Sequence, residues 1–329
     1  MKDAVKTLWQ ICFDDTEQFV DCYFENLYSD TCNEAIVRNA QLIAATQLLS
    51  FPLQWSGKEL PVAYLSGICT HPDYRRQGVM RALLDTVLNR LYREEVWAAA
   101  LIPAETWLFD VYGKFGFADV FNYSTELFTA SVTTSSTCEV QPYTSRFREE
   151  TIALLHNCPQ RPCGLLITEA YFDVIIKAFA VEKRPVLLCI DKGCPVGVAF
   201  ASEQQRVLAI AAVDETVRNL LLNDLCRLLD CSCLTVLTPP QEEILPLGML
   251  RIVAAEKWMA HYATAHPRAE LSLHLSDPFI AANNGYFHIS DGQCRRVGEC
   301  RKAMMLSMND LSRLLLADEK PYMMLMLNE

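Results

Sequence analysis

The sequence YLSGICTHPDYRRQGVMRALL, residues 64–84, decides the fold of the first part of the chain. It starts as an apolar strand, passes through a turn rich in arginine and glycine, and continues as a helix with one apolar face. The first turn of a helix has unpaired N–H groups and a partial positive charge, both of which suit phosphate oxygens. The segment therefore predicts a strand–turn–helix unit that can hold a phosphate group.

The turn itself carries residues that suit a pyrophosphate. Gly78 lets a ligand approach the backbone closely, and Arg75, Arg76 and Arg81 can donate charge-assisted hydrogen bonds. The turn has neither a Walker lysine nor a G-x-G-x-x-G pattern. An ordinary strand-to-helix turn with solvated arginines has the same spacing, so spacing alone leaves both interpretations open.

The composition narrows the class of protein. The chain has 329 residues, 51% of them apolar, which is enough for roughly two or three domains and too apolar for a disordered chain. Its 40 acidic and 29 basic residues give a net charge of −11. That balance disfavours duplex nucleic acid as a partner, because phosphate neutralisation needs clustered basic residues.

The cysteines and the termini indicate a compartment. The fourteen cysteines are scattered from Cys12 to Cys300 without a C-x-x-C pair, and the histidines form no ligand set, so we predict no metal site. We expect the cysteines to fill the core of a reduced, cytoplasmic protein. The N-terminus lacks a signal-peptide apolar block, and no stretch approaches about 20 apolar residues, so no membrane partner is expected.

Apolar periodicity extends the first unit on both sides of the turn. The predicted elements are two short helices within 2–28, strands over 34–55 and 60–70, a helix from 79, a strand over 96–104, a helix over 107–115 and a strand over 117–128. Ser56-Gly57-Lys58 is predicted to be the hairpin turn between the first two strands.

A second α/β unit follows a polar segment at 131–138, which we predict to be a linker. Its predicted elements are helices over 147–156 and 168–181, a hairpin over 184–203 that turns near 191–193, a strand over 206–213 and a helix over 216–229. Their order repeats the order around residues 35–92, which indicates an internal repeat. At the strand exit, Asp214 and Glu215 replace the arginines and the glycine, so we expect no second phosphate site.

A third unit is predicted from residue 245. Residues 249–297 indicate a small sheet with turns at Asn284-Gly285 and Asp291-Gly292, followed by a capped helix over 307–316 and an apolar segment over 321–329. The predicted fold class is α/β, in the α+β sense. Mixed sheets flanked by helices form two tandem units, and a small α+β unit follows them.

Two motifs in the first unit resemble those of a known family. The turn Arg75-Arg76-Gln77-Gly78-Val79-Met80-Arg81 is similar to the acetyl-CoA signature of GNAT-superfamily acetyltransferases, in the bulky apolar version of the enhanced intracellular survival (Eis) family. Residues 112–117, YGKFGF, resemble that family's tyrosine motif. The family layout implies a GNAT catalytic domain at 1–132, a degenerate second GNAT domain at 133–244 and a sterol-carrier-protein-like domain at 245–329.

The resemblance implies a bacterial N-acetyltransferase that uses acetyl-CoA as cosubstrate. Its acceptor is a primary amine of a cationic small molecule or of lysine, attacking directly in a ternary complex, and the acidic net charge favours a cation. Family members form hexamers, which implies a homo-oligomer, although the sequence itself specifies no oligomeric state. The alternative is a non-catalytic CoA- or lipid-binding module, which has no need of the tyrosine.

The resemblance also assigns site residues. It places the cosubstrate beside these residues: Ile68, Cys69 and Thr70 for the pantetheine arm, and Arg75, Arg76, Gln77, Gly78, Val79, Met80 and Arg81 for the pyrophosphate. Tyr112 protonates the departing thiolate, a role that competes with simple core packing, and the terminal carboxylate of Glu329 enters the site as the base. From the chemistry, an N–H of Ile68 or Cys69 is expected to stabilise the oxyanion. Loops at 54–60 and 103–109 are expected to wall the acceptor pocket.

Overall fold

The described residues form sixteen strands and nine α-helices. The N-terminal part contains α1 (Lys2–Cys12), α2 (Glu17–Asn26), β1 (Asn33–Arg38), β2 (Gln41–Trp55), β3 (Lys58–Thr70), α3 (Val79–Arg93), β4 (Ala98–Leu101), α4 (Leu108–Gly113) and β5 (Ala118–Thr129). The middle part contains β6 (Glu139–Pro142), α5 (Arg148–His156), β7 (Gly164–Leu165), α6 (Glu169–Val181), β8 (Val186–Asp191), β9 (Cys194–Ala201), β10 (Arg206–Ala212), α7 (Glu215–Leu228) and β11 (Cys233–Thr238). The C-terminal part contains β12 (Leu245–Ile252), α8 (Ala255–Ala265), β13 (Leu271–Ser276), β14 (Gly285–Ser290), β15 (Gln293–Val297), β16 (Met304–Ser307) and α9 (Met308–Leu316).

The structure is a computed structural model that describes residues 1–131, 137–157, 163–324 and 326. These residues form two compact units. The first comprises 1–121 and 246–321, and the second comprises 122–245 and the residues from 322 on. Of the helices in the described ranges, none is both long and apolar enough to cross a membrane.

The sheet of the first unit has the strand order β1-β2-β3-β4-β12. Strands β2 and β3 form an antiparallel hairpin across Ser56-Gly57, whose positive φ values of 45° and 74° suit a two-residue turn, so the predicted turn is confirmed. Strands β3 and β4 pair in parallel only from Val62 to Tyr64. Beyond Tyr64 the two strands therefore leave each other, and β3 continues to Thr70 beside an open edge.

Helices cover both faces of this sheet. Ala44 on β2 packs against Val79 and Leu83 of α3, whereas its neighbour Ala45 packs against Trp9 of α1. Since successive strand residues point to opposite faces, α1 and α3 lie on opposite sides of the sheet. The apolar positions of α3 that predicted its buried face are all buried, apart from the half-buried Met80.

The second unit has its own sheet and helices. Its sheet has the order β5-β11-β10-β9-β8-β6, to which β5 contributes the residues after Phe121. The predicted hairpin is β8–β9, joined through Lys192-Gly193, and α7 packs its apolar face on these strands. Residues 132–136 of the predicted linker lie outside the described residues.

The C-terminal part differs from its prediction in two respects. Its four-stranded sheet has the order β15-β14-β13-β16 and turns at Asp291-Gly292 as predicted. Residues 249–263 are not part of it, because β12 pairs with β4 and the following residues form α8. Asn284-Gly285 is not a hairpin turn either, since Gly285 begins β14 after a loop that starts at Asp277.

The fold class predicted from the sequence is confirmed: mixed α/β units with helices on the sheets, and a separate small sheet near the C-terminal end. The capped helix is confirmed as well, because Ser307 and Asp310 form a capping box at the start of α9. The division into domains at 1–132, 133–244 and 245–329 stays a prediction.

The packing of α3 on the sheet gives a first testable prediction. Leu88 is fully buried in the core between α3 and β4, so Leu88→Ala is expected to lower the free energy of unfolding by about 3 kcal/mol. The matched control is Leu228→Ala at the end of α7, where the leucine is 60% exposed and the expected change is within about 0.5 kcal/mol. Urea unfolding followed by circular dichroism measures both, and equal losses would contradict the packing described.

Candidate active site

The first turn of α3 is built to leave its N–H groups accessible. Gly78 caps the helix in the left-handed conformation, with φ 76° and ψ 5°, which glycine adopts without strain. No side chain caps this end, and the first turn has no acidic residue. A Cβ atom on Gly78 would meet no atom within 4 Å. The helix therefore offers donors and a partial positive charge to an anion in open space.

The arginines predicted for the pyrophosphate are exposed, and two of them already have contacts. The Nε of Arg75 donates to the carbonyl of Thr70 at 3.1 Å, which folds the side chain back to the end of β3. The guanidinium of Arg81 lies 5.0 Å from the ring centroid of Phe279, a residue of the C-terminal part. Arg76 is exposed with a left-handed φ of 62°. The turn thus concentrates three cations beside the open end of α3.

The other residues of the turn have structural contacts of their own. Gln77 donates to the carbonyl of Asp73 at 2.9 Å, which closes the turn. Val79 is buried against β2, and Met80 packs half-buried on the core between α3 and β4. The side chains of Val79 and Met80 therefore anchor the helix, and what these two positions offer a ligand is their backbone N–H groups.

The three residues predicted for the pantetheine arm lie on the open edge of β3. Ile68 is half-buried between two core clusters, and Cys69 is buried with its thiol 3.6 Å from the carbonyl of Ala45. The pairing with β2 shifts register between Ala45 and Gln47, so β3 bulges at Gly67 and Ile68. A bulge re-aims backbone groups next to a site, and here it lies where β3 has left β4.

Tyr112 lies near the end of α4 and is buried. Its ring makes an edge contact with Phe117 at 6.0 Å, within the core that also holds residues of β3 and β4. Burial raises the pKa of Tyr112 well above its usual value, and the neighbouring Cys69 raises it further. The phenol is therefore protonated at neutral pH, as a proton donor must be.

Cys12 packs half-buried against the core beneath α1 and α2, as expected of a core cysteine, and it also has polar neighbours. The thiol of Cys12, at the end of α1, lies 3.5 Å from the carbonyl of Thr70, which also accepts from Arg75. A hydrogen bond with Cys69 and the nearby guanidinium of Arg75 lower the pKa of Cys12 to about 6. The same thiol contact raises the pKa of Cys69. Spacing in the sequence gives no signal of this pair, because the two cysteines lie on separate elements.

Sequence reasoning also missed a buried ion pair. The side chains of Arg251 and Asp277 are both fully buried, and the Nη2 of Arg251 lies 2.7 Å from the Oδ1 of Asp277. The only signal in the sequence is an arginine inside the apolar run GMLRIV, which predicts an edge or an unusual partner rather than a core position. The Nε of Arg251 donates to the carbonyl of Phe115, inside the tyrosine motif, at 2.7 Å.

The equivalent helix of the second unit has an occupied N-terminus. The carboxylate of Asp214 caps α7 by accepting from the N–H of Val217 at 2.8 Å, and Glu215 pairs with Arg218. A phosphate brought to this end would meet a carboxylate in the place that the open backbone of Gly78 leaves free.

Two further predictions concern a metal ion and the terminal carboxylate. In the ranges that the structure describes, no group of three or more His, Cys, Asp or Glu residues could hold a metal ion. Glu329, predicted as the terminal base, lies outside the described residues. Of the segment that leads to it, residues 322–324 and 326 are buried.

Family models match two parts of the chain. Residues 2–120 match the acetyltransferase (GNAT) domain, and residues 253–328 match the sterol carrier protein domain. Comparison with curated protein sequences gives no match. The two matched ranges contain the site described above and the loop that carries Asp277 and Phe279.

Solved structures share the fold over almost the whole chain. A probable N-acyltransferase from Enterococcus faecalis V583, described as a conserved protein of unknown function, has a TM-score of 0.80 at 15% identity, over 96% of this chain and 87% of that chain. A GCN5-related N-acetyltransferase from Kribbella flavida has a TM-score of 0.75 at 19% identity, over 98% and 95%. Eis1 from Mycobacterium abscessus has a TM-score of 0.74 at 13% identity, over 96% and 86%.

The fold, the open helix terminus and the family match together define the class. Residues 2–120 match the acetyltransferase (GNAT) domain, which makes the chain an acyltransferase with an amine-bearing acceptor. The matches to a GNAT domain and to a sterol carrier protein domain, together with the fold shared with Eis1 from Mycobacterium abscessus, confirm the resemblance to Eis-like GNAT acetyltransferases that the two motifs predict.

The setting of Cys12 gives a second testable prediction. Because its pKa is lowered to about 6, the thiolate is present above that pH and lost as the pH falls through it. Alkylation of Cys12 by iodoacetamide is therefore expected to rise through pH 6 and level off by about pH 7.5, as measured by peptide mass spectrometry. An Arg75→Met variant is expected to move the midpoint upward. A rate in the native chain that still rises about tenfold per pH unit between pH 7 and 8.5 would contradict the assignment.

Proposed function

We propose that the chain transfers an acetyl group from acetyl-CoA to a primary amine of a cationic small molecule or a lysine side chain. The amine attacks directly, in a ternary complex with the cosubstrate. The observation that carries this proposal is the uncapped N-terminus of α3 at Gly78, next to the open edge of β3. Helix α3 shares one hydrophobic core with Tyr112. The helix end suits the phosphate groups of the cosubstrate, the edge of β3 suits its thioester, and Tyr112 is the proton donor.

The phosphate end of the cosubstrate is assigned to the turn and the first N–H groups of α3. Donors at the helix end bind phosphate oxygens directly, and Arg75 and Arg76 add charge. The net charge of the chain is −11, so these cations are a local exception in an acidic protein. Since Asp214 occupies the equivalent place in the second unit, one cosubstrate per chain is expected.

The chemical step needs three groups. The neutral amine forms a bond to the thioester carbonyl, and the oxyanion accepts a hydrogen bond from an edge N–H of Ile68 or Cys69. The carbon–sulfur bond then breaks, and the thiolate takes the proton of Tyr112. The amine nitrogen loses one proton to a base, which balances the proton that Tyr112 has given to the thiolate. The base that takes it, predicted to be the carboxylate of Glu329, stays a prediction.

The acceptor is expected to be a cation because of the groups that precede Tyr112. Glu105 is exposed and Trp107 is 62% exposed on the segment 103–109 that is predicted to wall the acceptor pocket, and the next residue, Asp110 in α4, is exposed too. Carboxylates attract an ammonium group, and an exposed indole face stabilises it by a cation–π contact. This arrangement supports a cationic amine over a neutral one.

Substitution of Gly78 tests the cosubstrate site. Gly78→Asp gives α3 the carboxylate cap that α7 already has, so it is expected to weaken CoA binding about 100-fold or more by repulsion and by occupying the helix donors. The matched control is Gly57→Asp, where the glycine has nearly the same φ of 74° and open surroundings in the β2–β3 turn. Isothermal titration calorimetry with CoA measures both variants, and unchanged affinity in Gly78→Asp would refute the site.

Substitution of Tyr112 tests the proton donor. Tyr112→Phe is expected to lower kcat about 100-fold while the KM for acetyl-CoA stays within about twofold, because the phenol acts only when the thiolate leaves. Tyr92→Phe, at an exposed position near the end of α3, is the control. CoA release is followed by chromatography against a panel of amines, since Cys12 would react with thiol reagents. Bound CoA without turnover for any amine would favour the non-catalytic binding module.

A further inference from the structure

The loop after β13 contacts two parts of the candidate active site, helix α3 and the tyrosine motif at residues 112–117. The ring of Phe279 lies under the guanidinium of Arg81, at 5.0 Å, and the carbonyl of Phe279 accepts from the Nδ2 of Asn89 at 3.2 Å. On its other side the same ring lies 5.6 Å from the ring of Phe115, three residues after Tyr112. Phe279, a residue of the C-terminal part, thus connects α3 with the tyrosine motif.

Asp277 fixes the conformation of this loop. Its Oδ1 accepts from the backbone N–H groups of Phe279 at 2.9 Å and of Ile280 at 3.2 Å. Its Oδ2 accepts from the Nδ2 of Asn283 at 2.8 Å. The carboxylate is fully buried, so these bonds are not exchanged with water. The position of the Phe279 ring therefore follows from the position of Asp277.

Arg251 connects Asp277 with the tyrosine motif. Its guanidinium donates to Asp277 at 2.7 Å, to the carbonyl of Phe115 at 2.7 Å and to the carbonyl of Ile252 at 3.0 Å. The motif has a glycine where the guanidinium passes, because a Cβ on Gly116 would lie 3.1 Å from the Nε of Arg251. The three hydrogen bonds of the Arg251 guanidinium all lie in the buried core, and each has a defined direction.

We propose that Arg251, Asp277 and Phe279 form a brace that positions Tyr112 and Arg81 for the transfer reaction. Arg251 and Asp277 hold the Phe115 carbonyl and with it the end of α4, so they act on the proton donor. Phe279 holds the guanidinium of Arg81 beside the first turn of α3, so it acts on cosubstrate binding. The three are positioning residues, and the proposal rests on the proposed function.

The chemistry of the brace supports positioning over simple stabilisation. A buried ion pair often contributes less to stability than apolar residues of the same volume, whereas its hydrogen bonds fix geometry in defined directions. A misplacement of about 1 Å at a reacting group can lower the rate about 100-fold. A guanidinium already held on an aromatic face also loses less freedom when it binds an anion.

The Phe279 contact is tested by measuring CoA affinity. Phe279→Leu is expected to raise the Kd for CoA about three- to tenfold, because the ring under Arg81 is lost, and to lower kcat as well, because the ring contact with Phe115 is lost with it. The rise in Kd is expected to vanish in an Arg81→Ala background. The control is Phe287→Leu, a buried phenylalanine on β14 with its own guanidinium, Arg296, at 4.6 Å. The control is expected to lower the melting temperature and leave Kd unchanged.

The Arg251 contact is tested by kcat. Arg251→Lys keeps a cation for Asp277 but cannot donate to all three partners, so kcat is expected to fall about 10- to 100-fold while the Kd for CoA stays within about twofold. In a Tyr112→Phe background the substitution is expected to cause no further fall. If Arg251→Lys does not fold, Phe115→Leu replaces it. That variant removes the ring contact with Phe279, and its fall in kcat is expected to disappear in the same background.

The outcomes separate the brace from the proposed function. Additive losses in both double-variant backgrounds, or equal Kd values for Phe279→Leu and Phe287→Leu, would overturn the brace and leave acetyl transfer intact. Full activity in Tyr112→Phe would instead overturn the assigned proton donor. The Kd of Phe279→Leu for CoA would still test whether Phe279 positions Arg81, because calorimetry with CoA needs no turnover.

Discussion

The early end of the pairing between β3 and β4 is the constraint on which the site depends. The two parallel strands share only the pairs from Val62 to Tyr64, and β3 then runs on to Thr70 with a free edge. A free edge offers N–H and C=O groups to an extended ligand. The same strand leads directly into the turn at Gly78, so the edge and the helix donors lie at one end of the sheet.

Two helices that follow equivalent strands show how small a change decides whether an anion can bind. Helix α3 begins at a bare glycine, whereas α7 begins at Asp214, whose carboxylate accepts the hydrogen bond that a phosphate would otherwise accept. Both ends have the same orphan donors of a helix. At α7 a side chain of the protein accepts from them, whereas no side chain caps the start of α3.

The C-terminal part contributes more to the first unit than its match to a sterol carrier protein domain suggests. Strand β12 extends the sheet through β4, and the loop at Asp277 reaches both α3 and the tyrosine motif. A fold match does not carry a function by itself, and here the contacts indicate structural support of an acyltransferase site.

The sequence by itself determined what depends on near neighbours: the helical face of α3, the glycine turns at Gly57 and Gly292, and the motif at Tyr112. These follow from periodicity and backbone conformation within a few residues. Only the tertiary structure decided that β12 pairs with β4, that Cys12 meets Cys69, and that Arg251 meets Phe115 and Asp277. The bond between Arg251 and Phe115 alone joins residues 136 positions apart. Their partners depend on which segments the whole chain brings together, a choice that no local pattern records.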